Sequence, residues 1–203
     1  MEKYEQKTHV GYIKMSRLFT YKNLELQLLE GDLTSYVADV LVNAANETLV
    51  GDDGVDGALH IAAGPKMQQE CNKTGYCPVT EIVVTKAYNL PAQHVFHTVG
   101  PQWNGDEEVT ELLLRITYYN NLKQAEQMKV KSVAFPSIST GQYGVPTHIG
   151  AKSFVNAITW FHGRQQPGYL RNITMVTHYD PDFDERTDIY QQFEEALLKI
   201  HGG

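Results

Sequence analysis

The segment "VNAANETLVGDDGVDGALHIAAG", which runs from Val42 to Gly64, decides how the rest of the chain is interpreted. It holds two asparagines three residues apart, then several glycines, and then Asp56 and His60 one helical turn apart. Glycines let a backbone approach a ligand closely, and the asparagines are polar side chains without a long charged arm. We therefore interpret the segment as a loop built around a ligand, with a helix that starts after Asp56.

Composition and charge limit the class of protein. The chain has 203 residues, of which 42% are hydrophobic and 20% charged, as in an ordinary globular domain. The net charge of −7 disfavours nucleic acid as a partner, because binding to backbone phosphates needs clustered Lys and Arg. No apolar run approaches the ~18 residues that span a membrane, and the first ten residues are too polar for a signal peptide. Cys71 and Cys77 form neither a disulfide framework nor a zinc motif, so we expect a cytoplasmic protein without metal or membrane partner.

Short apolar runs alternate with helical patterns along the chain. Leu24, Leu26 and Leu28 alternate with polar residues, which predicts a half-buried strand. Buried central strands are predicted for the runs "DVLVNA", "EIVVT", "HVFHTV", "KSVAF" and "ITMVT". Three helical faces are predicted to lie in the core: Leu114, Tyr118, Leu122, Ala125 and Met128; Ala151, Phe154, Val155, Ile158 and Phe161; and Ile189, Phe193, Leu197 and Ile200.

This alternation predicts an α/β fold with three layers, α/β/α, around a central mixed, mostly parallel sheet. The chain shows no repeat, linker or low-complexity tract. We therefore expect residues 1–203 to form a single domain, with residues 1–20 as an extra strand or arm.

Four polar or glycine-rich segments follow predicted strands. They are "EGDLTS", "NAANETLVGDDGVDGALH", "PSISTGQYGVP" and "THYDPDF". Ligands of α/β sheets bind at the carboxyl ends of the strands, and helix starts after Asp56 and Pro146 would offer free amides to a phosphate. The chain has neither GxGxxG nor a Gly-Lys-Ser/Thr loop, so it is not a standard dinucleotide or P-loop protein.

The chain contains, in this order, the segments "EGDLT", "VNAAN", "GVDGALHIAAGP", "YNLPAQHVFHTVGPQW" and "SVAFPSISTGQYGVP", and then an aromatic–Asp pair. This set resembles the macro domain family, specifically its ADP-ribosyl-hydrolysing MacroD-type branch. The resemblance runs from Leu24 to Ile200 and implies the macro-domain fold. It also implies a monomer that binds ADP-ribose and mono-ADP-ribosylated proteins without a cofactor.

Two residues match the family's adenine site. Asp32, followed by Leu33, matches the aspartate that accepts a hydrogen bond from the adenine amino group, a charge-assisted bond worth roughly 1.5–3 kcal/mol. Tyr179 matches the aromatic residue that packs on the adenine face, where stacking contributes about 1–3 kcal/mol. The alternatives are a helix N-cap for Asp32 and strand-end core packing for Tyr179.

The resemblance also implies contacts to the rest of the ligand. Ser139, Thr140, Gly141 and Gln142 would wrap the diphosphate with backbone amides, unless "STGQYG" is an ordinary tight turn. Tyr143 would lie against the distal ribose. The resemblance also implies that Ala45, Gly54 and Val55 contact the ligand.

The implied reaction breaks the bond between ribose C1″ and a carboxylate of a modified Asp or Glu, or removes an acetyl group. Asp56 matches the proposed general base, a task that the ligand's own phosphate shares in several accounts of the family. Asn46 matches the residue that fixes a distal ribose hydroxyl. His60 either orients Asp56 from the same helix face or is a core residue. Asn43 is interpreted as structural, bonding through its side chain to the loop backbone.

The chain departs from the branch at two places. Where the branch has a glycine run, this chain has Asp52 and Asp53 between two glycines. A carboxylate about 6 Å from a diphosphate charge would repel it by roughly 0.7 kcal/mol at water's dielectric constant and roughly 3 kcal/mol at an effective value of 20. It could instead accept from a ribose hydroxyl or face solvent. Where the branch has Thr-Gly-Glu-Ala, residues 79–82 are Val-Thr-Glu-Ile, which we interpret as a strand whose change alters packing only.

These observations favour a metal-independent hydrolase of mono-ADP-ribosyl esters on acidic residues, with O-acetyl-ADP-ribose as a second possible substrate. Macro domains that only read ADP-ribose often lack the aspartate at the position of Asp56, so its presence favours an enzyme. The alternative is a non-catalytic reader module in which Asp52 and Asp53 impair turnover. A nucleic-acid or poly(A) binder is disfavoured by the charge.

Overall fold

The computed structural model describes residues 6–7, 12–13, 15–178 and 186–203. The strands are β1 (Gln6–Lys7), β2 (Tyr12–Ile13), β3 (Met15–Tyr21), β4 (Leu24–Glu30), β5 (Val40–Ala44), β6 (Ile82–Lys86), β7 (His94–Thr98), β8 (Ser132–Pro136) and β9 (Asn172–Thr177). The helices are α1 (Gly54–Ala63), α2 (Pro65–Thr74), α3 (Glu107–Gln127), α4 (Thr147–Gln165) and α5 (Arg186–Leu198), with one 3₁₀ turn at Leu33–Ser35. No helix in these ranges is long and apolar enough to cross a membrane.

Seven strands form one sheet in the order β3-β4-β9-β8-β5-β7-β6, while β1 and β2 pair separately. The two outer pairs, β3 with β4 and β6 with β7, are antiparallel. The four inner pairs are parallel. The prediction of a mixed, mostly parallel sheet is therefore confirmed, and residues 15–21 lie along one edge of it as β3.

Both faces of the sheet are covered, because successive strand residues point to opposite sides. In β5, Val40 and Val42 pack into a core with α3, α4 and α5. Leu41, between them, packs into a second core with α1 and α2. The three-layer prediction is confirmed, and the three helical faces lie in or against the first core.

The prediction that "EIVVT" is a buried central strand is wrong. These residues enter β6, which is the last strand of the sheet and pairs only with β7. Ile82, Val83 and Val84 are accordingly only half-buried. An apolar run indicates a strand, but its place in the sheet depends on which distant segment pairs with it.

The helix predicted to start after Asp56 begins two residues before Asp56 instead. Helix α1 starts at Gly54, and Asp53 precedes it in an extended conformation with φ −89°. Gly54 has φ 64°, which turns the extended chain into the helix and suits a residue without Cβ. Asp56 therefore lies in the first turn of α1 rather than before it.

Residues 79–82 are a turn that leads into β6 rather than a strand throughout. Thr80 has φ 74°, in the left-handed region where a β-branched residue is strained. Its amide donates to Val99 O at 2.8 Å and its carbonyl accepts from Asn120 Nδ2 at 3.0 Å, so hydrogen bonds hold both the amide and the carbonyl of Thr80 in place. The MacroD-type branch that the sequence resembles has glycine at the position of Thr80. Threonine in place of glycine therefore strains the backbone here, in addition to the expected change in packing.

Replacing Thr80 with glycine should raise the free energy of unfolding by about 1 kcal/mol, because it removes the left-handed strain and keeps both backbone hydrogen bonds. Thr74→Gly, at the end of α2, is the matched control and should lower it by a few tenths of a kcal/mol. Urea denaturation measures both variants. A loss of stability in Thr80→Gly as large as in the control would contradict the assignment of strain.

Candidate functional site

A cleft of about 750 Å³ opens at the carboxyl ends of β4, β5, β8 and β9. These four strands run in the same direction, so the segments that follow them meet at one edge of the sheet. The predicted site residues that line the cleft are Asp32, Leu33, Ala45, Asn46, Gly54, Val55, Asp56, Ser139, Thr140, Gly141, Gln142 and Tyr143. His60 is not among the lining residues, and Tyr179 lies outside the described residues.

Two sets of backbone amides in the cleft are free to donate hydrogen bonds. The loop after β8 is closed by Gly144 N to Gly141 O (2.8 Å) and Val145 N to Ser139 O (3.0 Å). Within the described residues, the amides of 139–143 make no hydrogen bond, and the first amides of α1 have no helical partner. No lysine or arginine is among the lining residues in the part of the chain that the structure describes. An anionic group in this cleft would be bound by peptide dipoles rather than by basic side chains.

Ser139 is strained and tightly enclosed at the start of this loop. Its φ is 65°, which is uncommon for a residue with a side chain. Its hydroxyl is buried and has no hydrogen-bond partner in the described structure. A Cβ at Gly100 would lie 2.1 Å from this Oγ, so only glycine fits beside the loop there. Gly100 also lines the cleft, a role that the sequence patterns missed.

Tyr118 anchors the strand end from which the loop departs. The prediction placed Tyr118 on a core face of α3, and it is fully buried there. Its hydroxyl oxygen also accepts a hydrogen bond from Ile138 N at 3.0 Å. A helical stripe identifies such a residue as core, but the polar end of a tyrosine is the signal that a partner must exist.

Asp56 is the buried charge of the cleft. It is 5% exposed, and its Oδ1 accepts from Asn43 Nδ2 at 2.6 Å. The Asp52 amide lies 3.4 Å from Oδ2, and His60 Nε2 lies 3.4 Å from Oδ1. Burial raises the pKa of Asp56, with the Asn43 hydrogen bond and the charge of His60 opposing the rise. A carboxylate with a raised pKa is a stronger base than an exposed one.

His60 lies behind Asp56 rather than in the cleft. Its side chain is 9% exposed, and burial lowers its pKa, while the charge of Asp56 opposes the shift. Neither ring nitrogen has a hydrogen bond of good geometry in the described structure. A Cβ at Gly51 would lie 2.5 Å from His60 Cγ, so the ring packs directly on the loop backbone. The predicted shared face with Asp56 is confirmed, and a role in orienting Asp56 stays a prediction.

The interpretation of Asn43 needs correction. The sequence predicts bonds to the loop backbone, but the fully buried Asn43 side chain bonds to other side chains. Its Nδ2 reaches Asp56 Oδ1 and also lies 3.1 Å from His97 Nδ1. His97 Nε2 in turn lies 2.9 Å from Thr85 Oγ1. The strand that precedes the loop therefore supports Asp56 from inside the sheet.

His60, Cys71 and His97 bring one potential metal-ligand atom each within 4.8 Å of one another. Burial raises the pKa of Cys71 to about 11, so its thiol keeps its proton at neutral pH. The Nε2 of His97 is engaged by Thr85 at 2.9 Å and lies 3.7 Å from Cys71 Sγ. A metal would have to displace the thiol proton and the Thr85 hydrogen bond, so the described contacts favour a hydrogen-bonded cluster.

The amide of Asn46 is largely occupied within its own loop. Its Oδ1 accepts from Thr48 Oγ1 at 2.8 Å and from Val50 N at 3.3 Å. Its Nδ2 donates to Val50 O at 2.7 Å and lies 3.5 Å from Asp56 Oδ2. Only the weak contact to Asp56 leaves an N–H that a ligand could take without disturbing the loop.

Asp32 has the N-cap role that the sequence offered as its alternative, and its contact with adenine stays a prediction. It is the N-cap of the 3₁₀ turn and accepts from Thr34 N at 2.8 Å through Oδ1. The hydroxyl of Thr34 also lies 2.7 Å from Oδ2. The residue is exposed and lines the cleft, and a carboxylate has about four lone-pair sites. Capping therefore leaves acceptor capacity for a ligand.

Asp52 and Asp53 line the cleft and are exposed. Neither Asp52 nor Asp53 has a positive φ, and between residues 51 and 54 the left-handed conformation falls on Gly54, so aspartate replaces glycine at 52 and 53 without backbone strain. Gln142 Nε2 lies 3.4 Å from Asp53 Oδ2, which links the two loops across the cleft.

His178 and Ile189 also line the cleft and are not among the predicted site residues, although His178 belongs to the predicted strand-end segment "THYDPDF".

Comparison with known proteins gives one family. The model of the Macro domain family matches residues 42–154. A protein of Escherichia fergusonii named O-acetyl-ADP-ribose deacetylase is 46% identical over 140 residues, covering 67% of this chain and 79% of the relative. The structure of the Oceanobacillus iheyensis macrodomain with ADP has a TM-score of 0.80 and 33% identity, covering 91% of this chain and 97% of the other. The structure of the Trypanosoma brucei macrodomain in complex with ADP-ribose has a TM-score of 0.73 and 32% identity, covering 85% of this chain and 68% of the other.

Gly57 is the position in α1 where a side chain would deform the cleft most directly. A Cβ there would lie 1.9 Å from the carbonyl oxygen of Asp52, so Gly57→Ala should displace the 51–53 loop and lower stability by about 1–3 kcal/mol. Gly163→Ala is the matched control, because Gly163 also lies within a helix and nothing lies within 4 Å of its Cβ position. It should raise stability by up to about 1 kcal/mol. Equal increases in the free energy of unfolding of the two variants, measured by urea denaturation, would contradict the predicted clash.

Proposed function

Because the chain belongs to the macro domain family, we propose that its cleft binds ADP-ribose and that it hydrolyses mono-ADP-ribosyl esters on acidic residues of proteins, or the ester of O-acetyl-ADP-ribose. The proposal rests on one observation: the buried carboxylate of Asp56, whose pKa is raised, lines the cleft beside two sets of free backbone amides. The name of the Escherichia fergusonii relative and the ligands of the two solved macrodomains support it.

The ligand would lie along the cleft from Asp32 to Asn46. We propose that the free acceptor sites of Asp32 take the adenine amino group and that Tyr179 covers the base. The amides of 139–143 and of the first turn of α1 would hold the diphosphate, for which no basic side chain is needed. Tyr143, which is half-buried and lines the cleft, would contact the distal ribose.

Asp56 would act as the general base. It accepts a proton from a water molecule, whose oxygen bonds to ribose C1″ or to the acyl carbon, and the ester bond breaks with its electron pair going to the leaving oxygen. A carboxylate leaves without a proton, so Asp56 returns its proton to solvent; a ribose oxygen would take the proton itself. The single weakly held N–H of Asn46 is proposed to bind a ribose hydroxyl next to Asp56.

A reader module that binds ADP-ribose without turnover is the second candidate. Its support is the pair Asp52 and Asp53, whose exposed carboxylates line the cleft where the family resemblance has glycines. Their charge would weaken the binding of a diphosphate and could displace it from the position that hydrolysis requires. Incubation with a protein mono-ADP-ribosylated on acidic residues distinguishes the two candidates, because only the hydrolase removes the label.

Asp56→Asn should reduce release of acid-linked mono-ADP-ribose by about 10²–10⁴-fold, because a general base contributes that much to rate. ADP-ribose affinity, measured by calorimetry, should change less than about tenfold. In the unmodified protein, kcat/KM should fall as the pH decreases through the raised pKa of Asp56, since the base must be ionised. Asp106→Asn, at the N-cap of α3 and outside the cleft lining, is the control. Wild-type turnover retained in Asp56→Asn would exclude this base.

Replacing both Asp52 and Asp53 with asparagine should tighten ADP-ribose binding by a few-fold to about a hundredfold, with the larger effect at low salt, because two charges near the diphosphate are removed. Glu107→Gln with Glu108→Gln removes the same charge from exposed positions of α3 that do not line the cleft, and should leave affinity unchanged. A tenfold loss in the Asp52/Asp53 variant would show that a carboxylate instead makes a favourable contact with the ligand.

A further inference from the structure

A chain of buried hydrogen bonds runs from the cleft to the edge of the sheet. It starts at Asp56 Oδ1, passes through Asn43 Nδ2 (2.6 Å) to His97 Nδ1 (3.1 Å), and continues from His97 Nε2 to Thr85 Oγ1 (2.9 Å). Thr85 Oγ1 then donates to the carbonyl of Lys86 at 3.1 Å. Asn43 and His97 are fully buried and Thr85 is 2% exposed, so bulk water does not replace these partners.

The direction of each hydrogen bond follows from the groups at the two ends of this series, the Asp56 carboxylate and the Lys86 carbonyl. The Asn43 amide nitrogen carries two hydrogens, of which one goes to the Asp56 carboxylate and the other to His97 Nδ1. Nδ1 must then be without a hydrogen, so the ring carries its hydrogen on Nε2. That hydrogen goes to Thr85 Oγ1, whose own hydrogen goes to the Lys86 carbonyl. Every donor of the chain has an acceptor in this one arrangement.

His97 can hold this arrangement because it stays neutral. Burial, with a smaller contribution from His60, lowers its pKa to about 3. A hydrogen on Nδ1 would face the Asn43 N–H instead of accepting it, and Asn43 would turn away from Asp56 or lose a partner. No described atom other than His97 accepts the second Asn43 hydrogen. The imidazole therefore selects the orientation in which Asn43 donates to the carboxylate.

We propose that His97 is a positioning residue for Asp56, fixed by Thr85 with its hydrogen on Nε2 so that its Nδ1 lone pair aims the Asn43 amide at the carboxylate. The role in turnover rests on the proposed hydrolase function. His97 does not line the cleft and acts only through Asn43. It differs in this from Asp56 and Asn46, which can touch the ligand.

Removing the lone pair tests the proposal. His97→Leu should lower kcat for acid-linked mono-ADP-ribose by about tenfold to a hundredfold, since misplacing a catalytic group from a distance can cost that much. ADP-ribose affinity should stay within about threefold. Thr85→Val, a smaller change, should lower kcat in the same direction because the ring hydrogen loses its acceptor.

Two further variants separate positioning from stability. His97→Asn places an amide where its oxygen can occupy the Nδ1 position, so it should restore part of the turnover lost in His97→Leu. Thr98→Val removes a buried hydroxyl from the neighbouring position of β7, where Thr98 Oγ1 donates to Glu81 O at 3.0 Å outside the chain of bonds. It should reduce stability without changing kcat.

The pH profile gives a readout that a merely structural role would not move. The Asn43 hydrogen bond opposes the raised pKa of Asp56, so its loss in His97→Leu should move the acidic limb of kcat/KM to higher pH. The titratable groups near Asp56 are Asp52 on the loop, His60 on α1, Cys71 on α2, His97 on β7 and Tyr143 across the cleft. Thr85→Val leaves all five of these groups in place and removes only the acceptor of the His97 ring hydrogen, so it should shift the limb in the same direction.

Nitrogen-15 NMR of the unmodified protein tests the arrangement without any assay of turnover. The His97 ring should show a protonated Nε2 and an unprotonated Nδ1 from pH 5 to pH 8. A hydrogen on Nδ1, or an acidic limb and kcat that stay at wild-type values in a folded His97→Leu, would overturn the proposal. If the wild-type protein shows no turnover, the proposed hydrolase fails instead; the ring hydrogen and the carboxyl-carbon titration of Asp56 then decide the positioning role alone.

Discussion

Burial of the Asp56 carboxylate is the constraint on which the rest of this site depends. A carboxylate loses the hydration of bulk water when it is buried, and hydrogen bonds must replace that hydration. Asn43 supplies the shortest of these bonds, at 2.6 Å, from the strand that leads into the loop. The Asp52 amide and His60 approach from the loop and from α1. One charge is thus surrounded by groups from three successive parts of the same segment.

The glycines of that segment follow from the same constraint. The backbone of 51–53 must pass close to α1 to bring the Asp52 amide to Asp56, and it does so over Gly57, where a Cβ would lie 1.9 Å from the Asp52 carbonyl. Gly51 allows the His60 ring to pack on the loop. Gly54 adopts the left-handed conformation that starts the helix. Each glycine therefore has a separate physical reason, and none of the three reasons applies at 52 or 53.

The unpaired backbone amides of the cleft and its acidic side chains have opposite electrostatic effects on an anion. Free amides of the 139–143 loop and of α1 offer partial positive charge, while Asp32, Asp52, Asp53 and Asp56 contribute the formal charges of the lining. Such a site discriminates between ligands by shape and by the position of their charge rather than by net attraction. A phosphate would have to reach the amides without approaching the carboxylates. The positions of the 51–53 and 139–143 loops therefore limit where a phosphate could lie in the cleft.

The sequence by itself determined the strands from β4 to β9, the core faces of the helices, the three layers and the segments that meet at the cleft, but not every lining residue, because Gly100, His178 and Ile189 were missed. It could do so because hydrophobic periodicity is local and because parallel strands bring their carboxyl ends together. Only the tertiary structure decided that "EIVVT" is an edge strand, that Thr80 is strained, and that Asn43 bonds to Asp56 and His97. His97 lies 41 residues beyond Asp56 and in the sequence is one polar residue within an apolar run. Its role depends on which strand pairs beside β5 and on where a ring hydrogen finds an acceptor, and both are set by contacts between distant segments.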